Sequence, residues 1–166
     1  LGVVLTHVLS TDPSYHPGVP TLIDPEDPSK GIKIGEPTID DDATVFSYSP
    51  LDVFISAHIY DRASFLSQSG DGSTDMKTRI NETNLDAVRF GINGIKNFIH
   101  PKTGNEVQAK FVDRFISGRL YKTLDDETMS MLDTYSIAEL AQKIKDASTI
   151  SKVTEKNSVS GSQPSA

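Results

Sequence analysis

Cysteine and tryptophan are both absent from this 166-residue chain. Without cysteine there is no disulfide framework, no thiolate nucleophile and no zinc–thiolate centre. Long hydrophobic runs are missing too, and nothing approaches the roughly 20 apolar residues that a membrane-spanning helix needs. Residues 1–9 are apolar, but they lack a basic leading region and a small-residue cleavage site, which argues against a signal peptide. Basic residues are scarce: 16 Lys and Arg stand against 23 Asp and Glu, a formal charge of −7. A broad nucleic-acid or anionic-membrane surface needs a basic face, so neither partner is expected.

Catalytic motifs are also lacking. There is no G-x-S-x-G elbow, phosphate loop, dinucleotide fingerprint or zincin helix. The four histidines, His7, His16, His58 and His100, never recur at a metal-pair interval. Asp71, Ser73 and Asp75 alternate like a calcium loop, but Met76 stands where that loop requires glycine. The triplet Asp40-Asp41-Asp42 reads as a solvated acidic turn. His58, with Asp61 and Arg62 one turn on, has the spacing of a base oriented by a carboxylate. No nucleophile motif accompanies it, so a hydrogen-bonded histidine at a core edge is the favoured reading. No cofactor, metal or catalytic residue is therefore assigned. Asn81-Glu82-Thr83 is a glycosylation sequon of the kind that arises by chance. Leu1 in first place fits a fragment, a processed product or an alternative prokaryotic start codon.

The length suits one domain, and hydrophobic residues, 36% of the chain, are unevenly spread. Six of the nine prolines fall in residues 1–43: Pro13, Pro17, Pro20, Pro25, Pro28 and Pro37. Each fixes φ and disfavours helix at the residue before it, so an extended, Pro-rich arm is expected. Leu22, Ile23, Ile32, Ile34 and Ile39 are spaced along it to dock, and we assign them as candidate partner-binding residues. Alone, such an arm cannot offset about 1–2 kcal/mol of backbone entropy per residue. It must lie on its own core or on a neighbour.

A helical core is expected over residues 44–145. Val45, Phe46 and Tyr48 suggest a short strand. Ser49, Pro50 and Asp52 then form a capping box ahead of Leu51, Phe54, Ile55, His58, Ile59, Phe65 and Leu66 at helical spacing. Residues 67–75 have loop composition. A second helix is expected from 84 to 99, with Leu85, Val88, Ile92, Ile95, Phe98 and Ile99 as its stripe. Gly91 and Gly94 weaken it by roughly 1 kcal/mol each, which close packing of another backbone would explain. A turn at 101–105 and a strand over 106–111 precede a third helix, expected from Val112 to Tyr121. Capping boxes Thr123–Asp126 and Ser136–Glu139 head the last two helices. From Asp146 to Ala166, Ser, Thr and Lys dominate and a flexible polar tail is expected. The fold class read from these elements is mainly α, with one or two short strands and an arm at each end.

Residues 86–98 (DAVRFGINGIKNF) followed by 102–107 (KTGNEV) resemble a pattern in small tailed-phage proteins of the tail-assembly-chaperone and virion-morphogenesis kind. There a helix ending in glycine and a large apolar residue leads into a turn of this type. Leu124–Glu127, Ile137–Ala141 and the Val45–Leu51 entry fit the same layout, so the resemblance covers roughly residues 44–145. It implies a non-enzymatic structural subunit of a tailed-phage particle, at capsid, neck or tail. Such a subunit is assembled in the host cytoplasm and binds other virion or morphogenesis proteins in a homo- or hetero-oligomer. The alternative is a phage tail-assembly chaperone. A small hydrolase built on His58 is a third reading from another class.

Overall fold

The computed structural model describes residues 3–67 and 72–159. It is a mixed α/β fold, with helices and several small antiparallel sheets, and this corrects the mainly-α expectation. In chain order the elements are β1 (Leu5–His7), β2 (Tyr15–His16), β3 (Pro20–Leu22), a 3-10 turn (Pro28–Lys30), β4 (Ile32–Ile34), β5 (Thr38–Ile39) and β6 (Val45–Tyr48). Helices α1 (Val53–Ser67) and α2 (Gly72–Gly91) follow, then strands β7 (Ile92–Lys96), β8 (Phe111–Ile116) and β9 (Arg119–Leu124). Helices α3 (Asp126–Ser130) and α4 (Thr134–Val159) complete the described chain.

The core gathers where these elements converge. Phe46 and Tyr48 from β6 meet Ala87, Val88 and Ile92 from the α2–β7 junction. Leu124, Met129, Leu140, Ala141 and Ile144 close the cluster from β9, α3 and α4. Phe46 and Phe98 meet edge to face at 6.5 Å. The sheet order is β1-β6-β7, all antiparallel. On β7, Asn93 is an extra residue between the Ser47–Gly94 and Tyr48–Ile92 pairs, and its amide donates to Ser49 Oγ at 2.6 Å.

One expected helix ends early in a strand, and another is a hairpin. The helix expected over 84–99 stops at Gly91, and Ile92–Lys96 turns into the sheet against β6. Gly91 lies against α4: a Cβ there would sit 2.7 Å from Ile144 Cδ1, inside contact distance. The close packing expected at Gly91 is thus met by a side chain, while Gly94 has open space around its missing Cβ. The β-branched Ile92 and Ile95 suit a pleated, half-buried strand better than a helix end. The helix expected over 112–121 is the β8–β9 hairpin, with Ser117 and Gly118 at φ 51° and 76° in its two-residue turn. Two consecutive positive φ angles define a turn whose twist matches that of paired strands.

Helices α1, α3 and α4 begin near the expected places, but aspartates cap them, and α2 begins at Gly72 rather than near Asn84. Asp52 accepts from Ile55 N–H at 2.8 Å, Asp125 from Thr128 N–H at 2.8 Å and Asp133 from Ser136 N–H at 2.7 Å. Ser49, Thr123 and Ser136 are not the caps. Thr123 is buried in β9, where its hydroxyl donates to the Val112 carbonyl at 3.0 Å. Of residues 67–75, Ser67 ends α1 and 72–75 open α2, while 68–71, including Asp71 of the calcium-like spacing, lie outside the described residues. Helix α4 continues beyond Asp146 to Val159, and 160–166 lie outside the described residues.

Candidate interaction surface

The first arm is one long antiparallel ribbon. β2 pairs with β5 (Tyr15 with Ile39, His16 with Thr38) and β3 with β4 (Pro20 with Ile34, Thr21 with Lys33, Leu22 with Ile32). In both ladders the paired residue numbers add to the same total, so the two short sheets share a single register. Bonds outside the ladders keep it: Asp40 N–H donates to the Ser14 carbonyl at 3.0 Å, Gly35 N–H to Val19 at 3.0 Å and Ile23 N–H to Gly31 at 3.1 Å. The gap between the ladders falls where Pro17 and Pro37 stand opposite each other in that register. Neither has an N–H to give, so the ladder breaks there without losing alignment. The tip folds over the 3-10 turn and is held by Lys30 Nζ on Asp24 at 2.8 Å. That bond holds the Asp24 carboxyl below its ordinary range.

The base of the ribbon is fastened to the body. β1 adds to β6, and Glu139 of α4 reaches His7 Nε2 at 2.8 Å, Ser10 N–H at 2.9 Å and Ser10 Oγ at 2.7 Å. Burial pushes the Glu139 carboxyl up, but the bonds from Ser10 and His7 outweigh it and hold it below the usual glutamate range. Asp12 joins the two strands of the neck, accepting from Ser14 N–H at 2.8 Å and Thr44 N–H at 3.1 Å. Asn97, at φ 54°, donates its amide to the carbonyls of Asp41 and Ala43. The acidic triplet belongs to this neck: Asp40 accepts from His16 at 3.0 Å and Asp42 from Ser14 Oγ at 2.9 Å.

Beyond the neck nothing is fully buried. Val8 and Ala43 are buried, and no residue between them is. Side chains alternate along a strand, so the cross-strand pairs place Pro20, Leu22, Ile32 and Ile34 on one face, with Thr21 and Lys33 on the other. Leu22, Ile32 and Ile34 are 40%, 64% and 77% exposed. Of the candidate partner-binding residues, these three share a face. Ile23 sits exposed just past the last pair, and Ile39 is exposed near the base, in the other ladder.

The β8–β9 hairpin presents a second exposed apolar pair, which the helical reading hid. Phe115 and Leu120 stand directly opposite each other across the strands and are 75% and 55% exposed. The Ser-Gly dipeptide between β-branched and aromatic residues was the available signal. The other face of this hairpin is fixed to the body. Arg119 stacks on Phe54 at 3.8 Å, and Tyr121 meets Phe90 edge to face and donates to Asp52 at 2.8 Å.

The enzymatic candidates lead elsewhere. The His58 ring meets Phe90 edge-on at 6.3 Å, and Asp61 is exposed. The carboxylate buried nearby is Asp86, clamped by Arg62 at 3.2 Å and Arg89 at 3.5 Å. Burial raises the Asp86 pKa against the pull of both guanidiniums. Only 3% of its side chain is exposed, and its bond to Arg62 ties α2 to α1. A cavity of about 50 Å³ lies beside Ser56, Tyr60, Lys145 and Ser148, room for water only. Lys145, its pKa lowered by burial, donates to Asn84 at 2.8 Å. Among the described residues there is no group of three or more His, Asp or Glu that could hold a metal ion, and no helix long and apolar enough to cross a membrane.

Neither a protein-family model, nor a curated protein, nor a solved structure matches this chain.

Proposed function

We propose that this chain is a non-enzymatic structural subunit of a tailed-phage particle, whose ribbon binds neighbouring subunits. The observation that supports this reading is the ribbon itself. A two-stranded hairpin without a covered face is marginal in water, and this one carries an apolar face with no layer upon it. A neighbouring subunit would supply that layer. The body, by contrast, has its own core and serves as the anchor. The phage setting, a virion built in the host cytoplasm, comes from the resemblance over residues 44–145. The ribbon supports the assembly role independently of it.

The test is mass spectrometry of purified particles, with and without residues 14–40 of this chain. The proposal expects the intact protein at many copies per particle, and loss of incorporation when the ribbon is replaced by a two-residue turn. Absence from finished particles, with binding to an unassembled tail protein, would establish the tail-assembly chaperone instead.

A further inference from the structure

We propose that the partner of the ribbon is a second copy of this chain, and that it docks head to tail on the neighbour's β8–β9 hairpin. This rests on the assembly reading above and names the surface that the ribbon meets.

Charge is the first argument. Residues 12–42 hold eight carboxylates and two lysines, nearly the whole formal −7 of the chain. The β8–β9 hairpin, residues 111–124, holds Arg114, Arg119 and Lys122 against only Asp113. One chain thus carries a strongly acidic projection and a basic one. Some of these charges are already matched: Arg114 to Asp126 at 3.9 Å, Asp24 to Lys30 and Asp40 to His16. Arg119 and Lys122 on the hairpin, and Glu26, Glu36 and Asp41 on the ribbon, have no ion pair among the described residues. Opposite potentials on two surfaces favour their encounter and set its register, while two ribbons or two hairpins would repel.

Apolar matching is the second argument. The acidic ribbon carries Leu22, Ile32 and Ile34 on one face, and the basic hairpin carries Phe115 and Leu120 near its turn. Each set is exposed within a single copy, so neither covers the other there. Edge-to-edge strand pairing is disfavoured, because Pro17, Pro20 and Pro37 interrupt the donors along the ribbon. That leaves its apolar face as the docking surface. Two different patches make a heterologous contact, which either closes into a ring or runs on as a filament.

Sedimentation velocity on the full chain, from low to high micromolar and at two salt concentrations, tests this. The wild-type protein should self-associate, and less so at high salt. A ribbon variant (Ile32→Ser with Ile34→Ser) and a hairpin variant (Phe115→Ser with Leu120→Ser) should each associate roughly tenfold or more weakly. Both should keep the wild-type far-UV spectrum and melting curve, since the altered side chains are exposed. Mixed in equal amounts, the two should form a dimer and nothing larger, joining the intact hairpin of one to the intact ribbon of the other. A mixture that stays monomeric, or variants that associate like wild type, would overturn the head-to-tail contact. A wild-type chain that remains monomeric at every concentration yet enters particles would overturn it too, while leaving the structural-subunit reading intact.

Discussion

Two β-hairpins leave the body of this protein, and the chain stabilises them by different means. The β8–β9 hairpin ends in the core: Leu124 and Thr123 are fully buried, and Tyr121 and Arg119 lie on α1 and α2 side chains. The ribbon over residues 12–42 has an equally regular register and a firm base, but it buries no residue of its own. Cross-strand hydrogen bonds exchange for bonds to water at little net gain, so burial decides which hairpin is stable alone. A regular ladder without a core therefore gains stability only from a layer that covers it. The difference lies in what each strand's inward face touches, and hydrogen-bond geometry does not reveal it.

Substitutions can break this comparison, starting where the effect is largest. Leu124→Ala, at the buried end of the first hairpin, should cost about 2–5 kcal/mol in urea or guanidinium unfolding. A much smaller loss would mean that this hairpin is not rooted in the core. Gly91→Ala should cost about 1–3 kcal/mol in the same measurement, because the added methyl drives into Ile144. The gain in helix propensity would exceed that cost only if Ile144 could shift aside.

Glu139 sharpens the comparison at the base of the ribbon. Its native carboxyl is held below the ordinary range, so its contribution is present at neutral pH and lost as pH falls through the lowered native value. Glu139→Gln should lower stability by about 1 kcal/mol near neutral pH. It should also flatten the acid limb of the stability–pH curve relative to wild type. An unchanged acid limb would show that β1 and Ser10 do not depend on that carboxylate. At the far end of the ribbon, Ile34→Ala should change the stability of the isolated protein by no more than about 0.5 kcal/mol. A large loss there would mean that the ribbon belongs to the cooperative core.

Much of the chain was legible from residue pattern. Val45–Tyr48 reads as a strand, the extended arm follows from its prolines, and the helix starts lie within a few residues of where polar caps suggested. The capping residues were misplaced because Asp52, Asp125 and Asp133 compete with nearby Ser and Thr for the same role, and only tertiary position chooses between them. The shortened helix and the lost one have a common cause. Ile92, Ile95, Phe115 and Leu120 fit a helical stripe over short windows, yet their partners lie at Phe46, on α4 or across a tight turn. Short apolar segments do not distinguish the two periods, and pairing decides. The single register of the ribbon was not readable either, because it depends on residues as far apart as Tyr15 and Ile39. The apolar residues assigned to partner binding were visible as isoleucines in a polar arm, but their division between faces required the ladder.

Hydrogen exchange on the free protein and on its assembled form tests the central claim most directly. In the free chain, amides of residues 20–34 should exchange nearly as fast as an open hairpin allows, while those of Phe46, Tyr48 and Ile92 stay protected. On assembly, the amides of β3 and β4 should slow markedly and those of the body should change little. Strong protection of residues 20–34 already in the monomer, or none gained on assembly, would contradict the account of the ribbon as a docking arm.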